Sequence, residues 1–224
     1  MKQKTRDRIL DSACKIFAHQ GFRDTTIEQI CRDAKANIAA VNYYYRNKAS
    51  LYRAAWQCAL HRSLDAHPPD GGVSPDAKPE ARLRGRVLSI MQRITDPESY
   101  AFDIMHKEMA NPTGLLTDVL RESISPLRRE FMHIIRELLG RKATDRQVQL
   151  CHMSIIAQCF GPLLQERRRK TSPDSEGPPG FGLPVEDVEV LADHVTAFSL
   201  AGIRELGGTG RKPAGKRTSG KRTA

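Results

Sequence analysis

Apolar residues recur every three to four positions along most of the chain, which is the spacing of one face of an α-helix. The first such set consists of Ile9, Leu10, Ala13, Ile16 and Phe17. Gly21 follows this set, and glycine commonly ends a helix because it adopts a left-handed backbone without strain. The pattern therefore predicts a first helix over residues 5–20.

Residues with capping chemistry precede the next three helical stretches. A capping box, in which two side chains bond each other's backbone N–H groups, is available in either of two registers. The two candidate pairs are Thr25 with Glu28 and Thr26 with Gln29. The helix that this box opens is predicted to reach about residue 34. Asn37 predicts a third helix to about Tyr45, and Asn47 predicts a fourth to about residue 66.

The rest of the chain continues the helical pattern after a Pro/Gly-rich loop at residues 67–79. Asp96-Pro97 and Ser125-Pro126 each have the form of a helix start, a cap followed by proline. Asn111-Pro112-Thr113 predicts a break. Helices are predicted over residues 80–94, 97–110, 115–120, 125–139, 144–170 and 185–206. No stretch alternates as a strand does, so the predicted fold class is all-α.

Positive charge lies at the two ends of the chain. Residues 1–52 carry ten Lys/Arg against five Asp/Glu, and residues 208–224 carry six Lys/Arg and no acidic residue. Residues 53–207 carry twenty Lys/Arg against twenty-one Asp/Glu. This distribution favours a polyanionic partner for the ends and another task for the middle. The basic tail, residues 208–224, has no apolar periodicity and is predicted to be disordered.

The cysteines and the lengths of the apolar runs indicate the redox chemistry and the cellular location of the protein. The five cysteines are odd in number and contain no C-x-x-C pair, so neither a disulfide framework nor a zinc site is predicted. Buried structural thiols are the main interpretation, and a redox-sensing cysteine is the alternative. No run approaches eighteen apolar residues, and no secretory signal is visible. We therefore expect a cytoplasmic protein with no membrane contact.

Residues 25–48 have the order of elements of a helix-turn-helix, in which a second helix enters the major groove of DNA. On that second helix, Ile38, Val41 and Tyr45 are predicted to face inward. The residues left to face outward are Ala39, Ala40, Asn42, Tyr43 and Tyr44. A solvated polar turn in an ordinary helical bundle is the alternative.

The outward residues suit contact with DNA. Asn42 can pair with an adenine edge, and an alanine can pack on a thymine methyl group. Tyrosine hydroxyls commonly bond phosphate oxygens. Lys48 adds a positive charge next to the N-terminus of the fourth helix, where backbone N–H groups already favour an anion.

Three separated blocks of the sequence resemble the DNA-binding domain of the TetR family. They are residues 5–22, residues 25–30 (TTIEQI) and residues 39–52 (AAVNYYYRNKASLY). The resemblance implies a homodimer of nine or ten helices. Its helix-turn-helix domain would be residues 1–52, and the fourth helix would join it to a ligand-binding and dimerisation domain at residues 53–207. The last two long helices would form the dimer interface.

The resemblance also implies roles for individual residues. By matched position, the contacts to DNA, mostly to phosphates, would be Thr25, Thr26, Tyr43, Tyr44 and Lys48. Ala39, Ala40 and Asn42 would lie nearest the bases, and Asn37 would join the DNA-binding set.

The chain departs from the family pattern at two sites, a residue pair and a single residue. Lys35-Ala36 stands where the family usually has glycine and a larger apolar residue, and Asn42 stands where it frequently has tyrosine. If residue 35 needs a left-handed backbone, lysine costs about 1 kcal/mol relative to glycine. Contact with a phosphate is another role for Lys35.

The middle of the chain is similar to the CecR-like branch of the same family over two short segments, residues 108–113 and 125–128. A pocket for an unknown small-molecule effector is predicted between residues 80 and 165. Its candidate residues are Met91, Phe102, Met105, His106, Met109 and Phe131. Ordinary core packing is the alternative for each apolar one.

Other function classes find less support in the sequence. Neither G-x-S-x-G nor H-E-x-x-H occurs, so no catalytic residue, cofactor or metal is predicted and the chain is not expected to be an enzyme. A DNA-binding or architectural protein that is controlled by a protein partner remains the alternative, because the basic tail could add sequence-independent phosphate contacts. The predicted function is a ligand-responsive homodimeric repressor that binds a palindromic operator in double-stranded DNA.

Overall fold

The computed structural model describes residues 2–171 and 187–208, with side chains over 4–163 and 187–207. Within these residues the secondary structure is helical and contains no strand, which confirms the predicted all-α class. The helices are α1 (Lys2–Asp24), α2 (Ile27–Asp33), α3 (Ile38–Tyr45), α4 (Lys48–Ala66), α5 (Pro79–Thr95), α6 (Tyr100–Ala110), α7 (Thr117–Leu139), α8 (Asp145–Thr171) and α9 (Val188–Gly208).

The predicted caps position α2, α3 and α4. Of the two registers open to the first cap, the structure has the one with Thr26, whose hydroxyl accepts a bond from the Gln29 N–H over 3.2 Å while its own N–H donates to Gln29 Oε1 over 2.7 Å. Asn37 Oδ1 accepts from the Ala40 N–H, and Asn47 Oδ1 accepts from the Ser50 N–H, both over 2.8 Å. These bonds satisfy N–H groups that have no partner inside the helix.

Gly21 interrupts α1 as predicted. Its backbone is non-helical, with φ 78° and ψ −179°, and the helical stretch resumes only for the last residues up to Asp24. Thr25 then donates its hydroxyl to the Gly21 carbonyl over 2.6 Å, so one of the carbonyl groups exposed by the break is satisfied.

Two hydrophobic clusters form the core, and α6 contributes to both. The first cluster packs α1, α3 and α4 together and includes Phe17, Val41 and Trp56. The second packs α5, α7, α8 and α9. On α6, Ile104 belongs to the first cluster and Phe102 to the second. This helix therefore joins the N-terminal unit, α1 to α4, to the body, α5 and α7 to α9.

Two predicted helix starts were wrong. Asp96-Pro97 does not open a helix, because Asp96 closes α5 through its N–H bond to the Gln92 carbonyl and α6 begins only at Tyr100. The separate helices at residues 115–120 and 125–139 are one helix, α7, with Pro126 in its interior. Burial explains this continuity: Ile124 packs on the first cluster and Phe131 lies in the second, and that packing outweighs the hydrogen bond that proline removes.

The last two helices begin at polar caps. Thr144 and Gln147 form a capping box, with bonds of 2.9 and 3.2 Å, at the predicted start of α8. Asp187 accepts a bond from the Glu189 N–H over 2.7 Å at the start of α9. The segment between the predicted helices at 144–170 and 185–206 lies outside the described residues, apart from Thr171. The predicted disordered tail at 208–224 also lies outside them, apart from Gly208. No helix in the described part of the chain has the length and apolar content that crossing a membrane requires.

Candidate nucleic-acid interface

The turn between α2 and α3 has a left-handed residue at Lys35, where φ is 48°. The Lys35 N–H bonds the Arg32 carbonyl over 3.3 Å, and the Ala36 N–H bonds the Cys31 carbonyl over 2.9 Å. Glycine adopts this backbone freely, whereas a side chain with a Cβ is strained there. Residue 35 thus has the left-handed backbone for which the family usually provides glycine, and in this chain a lysine occupies it.

The face that α3 turns inward is shifted from the predicted one. Val41 and Tyr45 are buried as expected, but Ile38 is 45% exposed, so its predicted inward position was wrong. Along α3, the residues in contact with the first cluster are Ala40, Val41, Tyr44 and Tyr45. Ile38 lies in the first turn, ahead of the part of α3 that this cluster covers.

A small set of residues on α3 is exposed to solvent. Ala39, Asn42 and Tyr43 are exposed, and Tyr43 is 73% exposed. They lie at positions i, i+3 and i+4, which share one side of a helix. With Ile38 they form the exposed α3 face. Ala40 and Tyr44, which were expected on this face, are half-buried at its edge.

The other residues expected to contact DNA differ in how far their side chains are exposed to solvent. The Thr25 side chain is 1% exposed and its hydroxyl is bonded to the Gly21 carbonyl, so the hydroxyl is not available to a phosphate. A DNA contact by Thr25 stays a prediction. Thr26, Lys35 and Asn37 are exposed, although Thr26 and Asn37 also cap their helices.

Lys48 is half-buried against the end of α1. Its ammonium group donates to the Arg23 carbonyl over 3.4 Å and lies 4.4 Å from the centre of the Phe22 ring. Burial lowers the pKa of Lys48, with a smaller opposing effect from Asp24. These contacts hold a positive charge beside the N-terminus of α4.

The N-terminal unit is bonded to the segment that follows α6. Arg53 Nε donates to the Leu115 carbonyl over 2.9 Å, and an Arg23 guanidinium nitrogen donates to the Pro112 carbonyl over 3.4 Å. The Glu108 carboxylate, which is buried at the end of α6, accepts a bond from the Tyr52 hydroxyl over 3.1 Å. These bonds join α1 and α4 to α6 and to the segment that follows it.

A cavity of about 240 Å³ lies among α4, α5, α6, α7 and α8. Phe102, Met105 and Phe131, three of the six predicted pocket residues, line it. The other three do not line it. Met91 is buried in the second cluster, His106 stacks on Phe102 at 6.2 Å between ring centres, and Met109 is 69% exposed. Met109 is exposed because it lies in the last turn of α6, beyond the part that neighbouring helices cover.

Sequence reasoning missed the polar lining of this cavity. Its members are Ser63, Arg86, Arg93, Ser99, Arg128 and His152. Trp56 on α4 also lines the cavity, although α4 was predicted only to join the helix-turn-helix domain to the ligand-binding domain. A signal was present on α5, because Arg86, Ile90 and Arg93 are spaced i, i+4 and i+7 and so share one face.

Two family models match the chain. The model of bacterial regulatory proteins of the tetR family matches residues 9–55. The model of the C-terminal domain of the HTH-type transcriptional dual regulator CecR matches residues 79–203, more than half of the chain. The chain belongs to the TetR family. Its C-terminal domain is of the CecR type, and it is a DNA-binding transcriptional regulator, not an enzyme.

Individual relatives agree with this assignment at low identity. The HTH-type transcriptional regulator SrpR of Pseudomonas putida is 24% identical over 66% of this chain and 65% of its own length. The uncharacterized regulator TtgW of Pseudomonas putida is 27% identical over 51% of this chain and 81% of its own. The match thus spans slightly less than two thirds of SrpR. A crystal structure of a TetR-like regulator from Rhodococcus sp. RHA1 shares the fold, with a TM-score of 0.64 and 18% identity over 92% of this chain and 97% of that one.

Proposed function

We propose that this regulator is a repressor that binds a palindromic operator as a homodimer and releases it when a small molecule occupies the cavity. The exposed α3 face carries the proposal. Asn42 is placed to pair with an adenine edge, Ala39 to contact a thymine methyl group, and Tyr43 to bond a phosphate. Thr26, Lys35, Asn37 and Lys48 are the proposed supporting contacts, with Ala40 and Tyr44 at the edge.

Exposed apolar side chains on α8 and α9 support a dimer through these helices. Five large apolar residues there are between 46% and 64% exposed, namely Leu150, Met153, Val190, Phe198 and Leu206. Burying such a surface against a second copy removes it from water, which is the main favourable contribution to association. TetR-family regulators act as dimers, so a second copy is the proposed occupant.

The position of the cavity supports the ligand response. Its walls include Trp56 and Leu60 of α4, the helix that directly follows α3, and Phe102 and Met105 of α6. Two recognition helices of a dimer must match half-sites about 34–36 Å apart. A ligand that displaces α4 and α6 changes that separation, and breaking a bidentate hydrogen-bonded pair with a base costs about 1–3 kcal/mol.

Fluorescence anisotropy on labelled DNA that flanks the gene tests the DNA-reading proposal. Wild type is compared with the Asn42→Ala/Tyr43→Ala variant and with Met109→Ala, an exposed residue outside the interface, across a salt series. We expect tight, salt-sensitive binding by wild type and Met109→Ala, and loss of the preference over random DNA in the double variant. Equal and weak binding of both DNAs by all three proteins would instead favour the architectural alternative.

Light scattering tests the dimer. Phe198→Glu places a charge on the exposed face of α9 and is expected to yield monomers at micromolar concentration. Met109→Glu places the same charge on a comparably exposed methionine of α6 and is expected to remain dimeric. A dimeric Phe198→Glu protein would remove α9 from the proposed interface.

A further inference from the structure

The cavity among α4 to α8 has a mainly apolar wall, and the charged residues that line it are all positive. Three arginines line it, Arg86, Arg93 and Arg128, and no aspartate or glutamate is among the described residues that do. The rest of the lining is mainly aliphatic and aromatic, including Trp56 and Phe131. A cavity of this kind offers apolar contact along most of its wall and positive charge at a few points.

Arg86 and Arg93 differ in whether the protein already neutralises them, and the third arginine, Arg128, is exposed to solvent. Arg86 forms an ion pair with Glu130. Arg93 donates through Nε to the Ser89 carbonyl over 3.2 Å, and no carboxylate within the described parts of the chain pairs with it. Burial and the nearby Arg86 lower the pKa of Arg93 to about 10, so its guanidinium is charged at neutral pH but is poorly solvated. A half-buried charge without a counter-ion is costly, and an anion from outside would relieve that cost.

A second donor on the cavity wall also lacks a partner. The Trp56 side chain is 1% exposed, and its indole N–H has no acceptor among the residues that the structure describes. The two serines on the wall are less available, because Ser99 donates its hydroxyl to Ser63 over 2.9 Å. The Trp56 indole therefore needs an acceptor, and the Arg93 guanidinium a counter-ion, that the described protein does not supply.

The cavity volume limits the size of the ligand. An apolar cavity of about 150 Å³ is large enough for benzene, and a water molecule takes about 30 Å³ of liquid. By that measure, a volume of about 240 Å³ corresponds to a compound on the order of ten non-hydrogen atoms. Octanoate is a carboxylate of that size.

We infer that the effector is a small apolar carboxylate whose anionic group pairs with Arg93 and whose apolar body lies against Trp56, Phe102 and Phe131. This inference rests on the proposed function, because it names the ligand class for the same cavity. A neutral compound would fill the apolar part but leave Arg93 unpaired. An amine would add another positive charge to a site that already holds three arginines.

The intrinsic fluorescence of Trp56 tests the ligand class directly, because it is the one tryptophan in the chain. Purified protein without DNA is titrated at pH 7.5 with octanoate, octanol and octylamine. We expect saturable changes with octanoate at a Kd at least about tenfold below that of octanol, and no saturable change with octylamine. Octanol that binds as tightly as octanoate would overturn the inference.

Variants locate the anion preference. Arg93→Met is expected to bind octanol as wild type does and to lose the preference for octanoate, while Arg93→Lys keeps part of it. Arg121→Met, at an exposed arginine of α7, serves as the matched control and is expected to keep the full preference. If Arg93→Met proves unfolded by circular dichroism, the Arg93→Lys comparison decides the matter. An Arg93→Met protein that keeps the full preference would also overturn the inference.

The same titrations on the protein–DNA complex separate this inference from the proposed function. Octanoate that binds with the expected preference but does not alter operator anisotropy would leave the ligand class intact and refute the ligand response. In the opposite outcome, a neutral compound that competes with octanol releases the operator, and the protein shows no preference for octanoate over octanol. That result would support the ligand response and refute the ligand class.

Discussion

The Tyr52 hydroxyl on α4 donates a hydrogen bond over 3.1 Å to the Glu108 carboxylate on α6, and both side chains are buried. Glu108 also accepts bonds from the Thr113 N–H and hydroxyl, each over 2.9 Å, and from the Gly114 N–H over 3.2 Å. Burial and the adjacent Glu108 raise the pKa of Tyr52, so the phenol keeps its proton. One carboxylate thus bonds α4 to the loop that closes α6.

Tyr52→Phe removes the phenol from this network and keeps the ring, which packs on Phe17 with ring centres 4.8 Å apart. Because the acceptor is charged and buried, we expect the free energy of unfolding to fall by about 1.5–3 kcal/mol in urea titrations. Tyr43→Phe, at an exposed tyrosine, should change it by less than about 0.5 kcal/mol. If Tyr52→Phe costs the same in a Glu108→Gln background, the two residues are not coupled.

Lys35→Gly separates backbone strain from charge in the helix-turn-helix. Because φ at this residue is 48°, glycine should raise the free energy of unfolding by about 1 kcal/mol. Lys35→Ala loses the same charge but keeps the strained backbone, so it should bring no such gain. Both variants should bind DNA more weakly and with a smaller salt dependence if Lys35 contacts a phosphate. Equal stability of the glycine and alanine variants in urea would contradict the argument from strain.

Gly85→Ala tests a close approach between α5 and the loop before it. A Cβ at Gly85 would lie 2.2 Å from the Asp70 carbonyl oxygen and 2.9 Å from Val73 Cγ2, so the loop must move. We expect a loss of more than about 2 kcal/mol in the free energy of unfolding. Gly161→Ala on α8, where a Cβ meets nothing within 4 Å, is the control and should not destabilise the protein. A thermal melt in which both variants match wild type would show that the loop yields without cost.

His152 makes stability depend on pH. Burial, together with the nearby Arg128, lowers the pKa of His152 below its ordinary value near 6.5. The unfolded chain then binds a proton that the folded chain resists, so the stabilising contribution is present above about pH 6.5 and is lost as the pH falls through the lowered pKa. We expect His152→Gln to lose less stability than wild type between pH 7 and pH 5, measured by urea titration. His61→Gln, at an exposed histidine, should follow wild type.

The caps and stops of the N-terminal helices could be predicted because they are local. Thr26, Asn37 and Asn47 bond N–H groups three residues away, so their chemistry is visible in a few letters of sequence. The two helix starts predicted at prolines were wrong because local signals do not include the packing of the rest of the chain. Pro97 and Pro126 have a local form that favours helix starts, but Asp96 closes α5 instead and the packing of α7 on two clusters carries that helix through Pro126.

The sequence by itself determined the all-α class, the family and the order of the helix-turn-helix, since these depend on spacing and on local bonds. Only the tertiary structure decided which side of α3 is open, where Ile38 is exposed and Tyr44 is half-buried, because periodicity defines a face but not the edge that neighbouring helices cover. It also decided that Arg93 lines an apolar cavity. An arginine on an amphipathic helix has the same spacing whether its charge meets bulk water or lines a cavity, and only the helices packed around α5 distinguish the two.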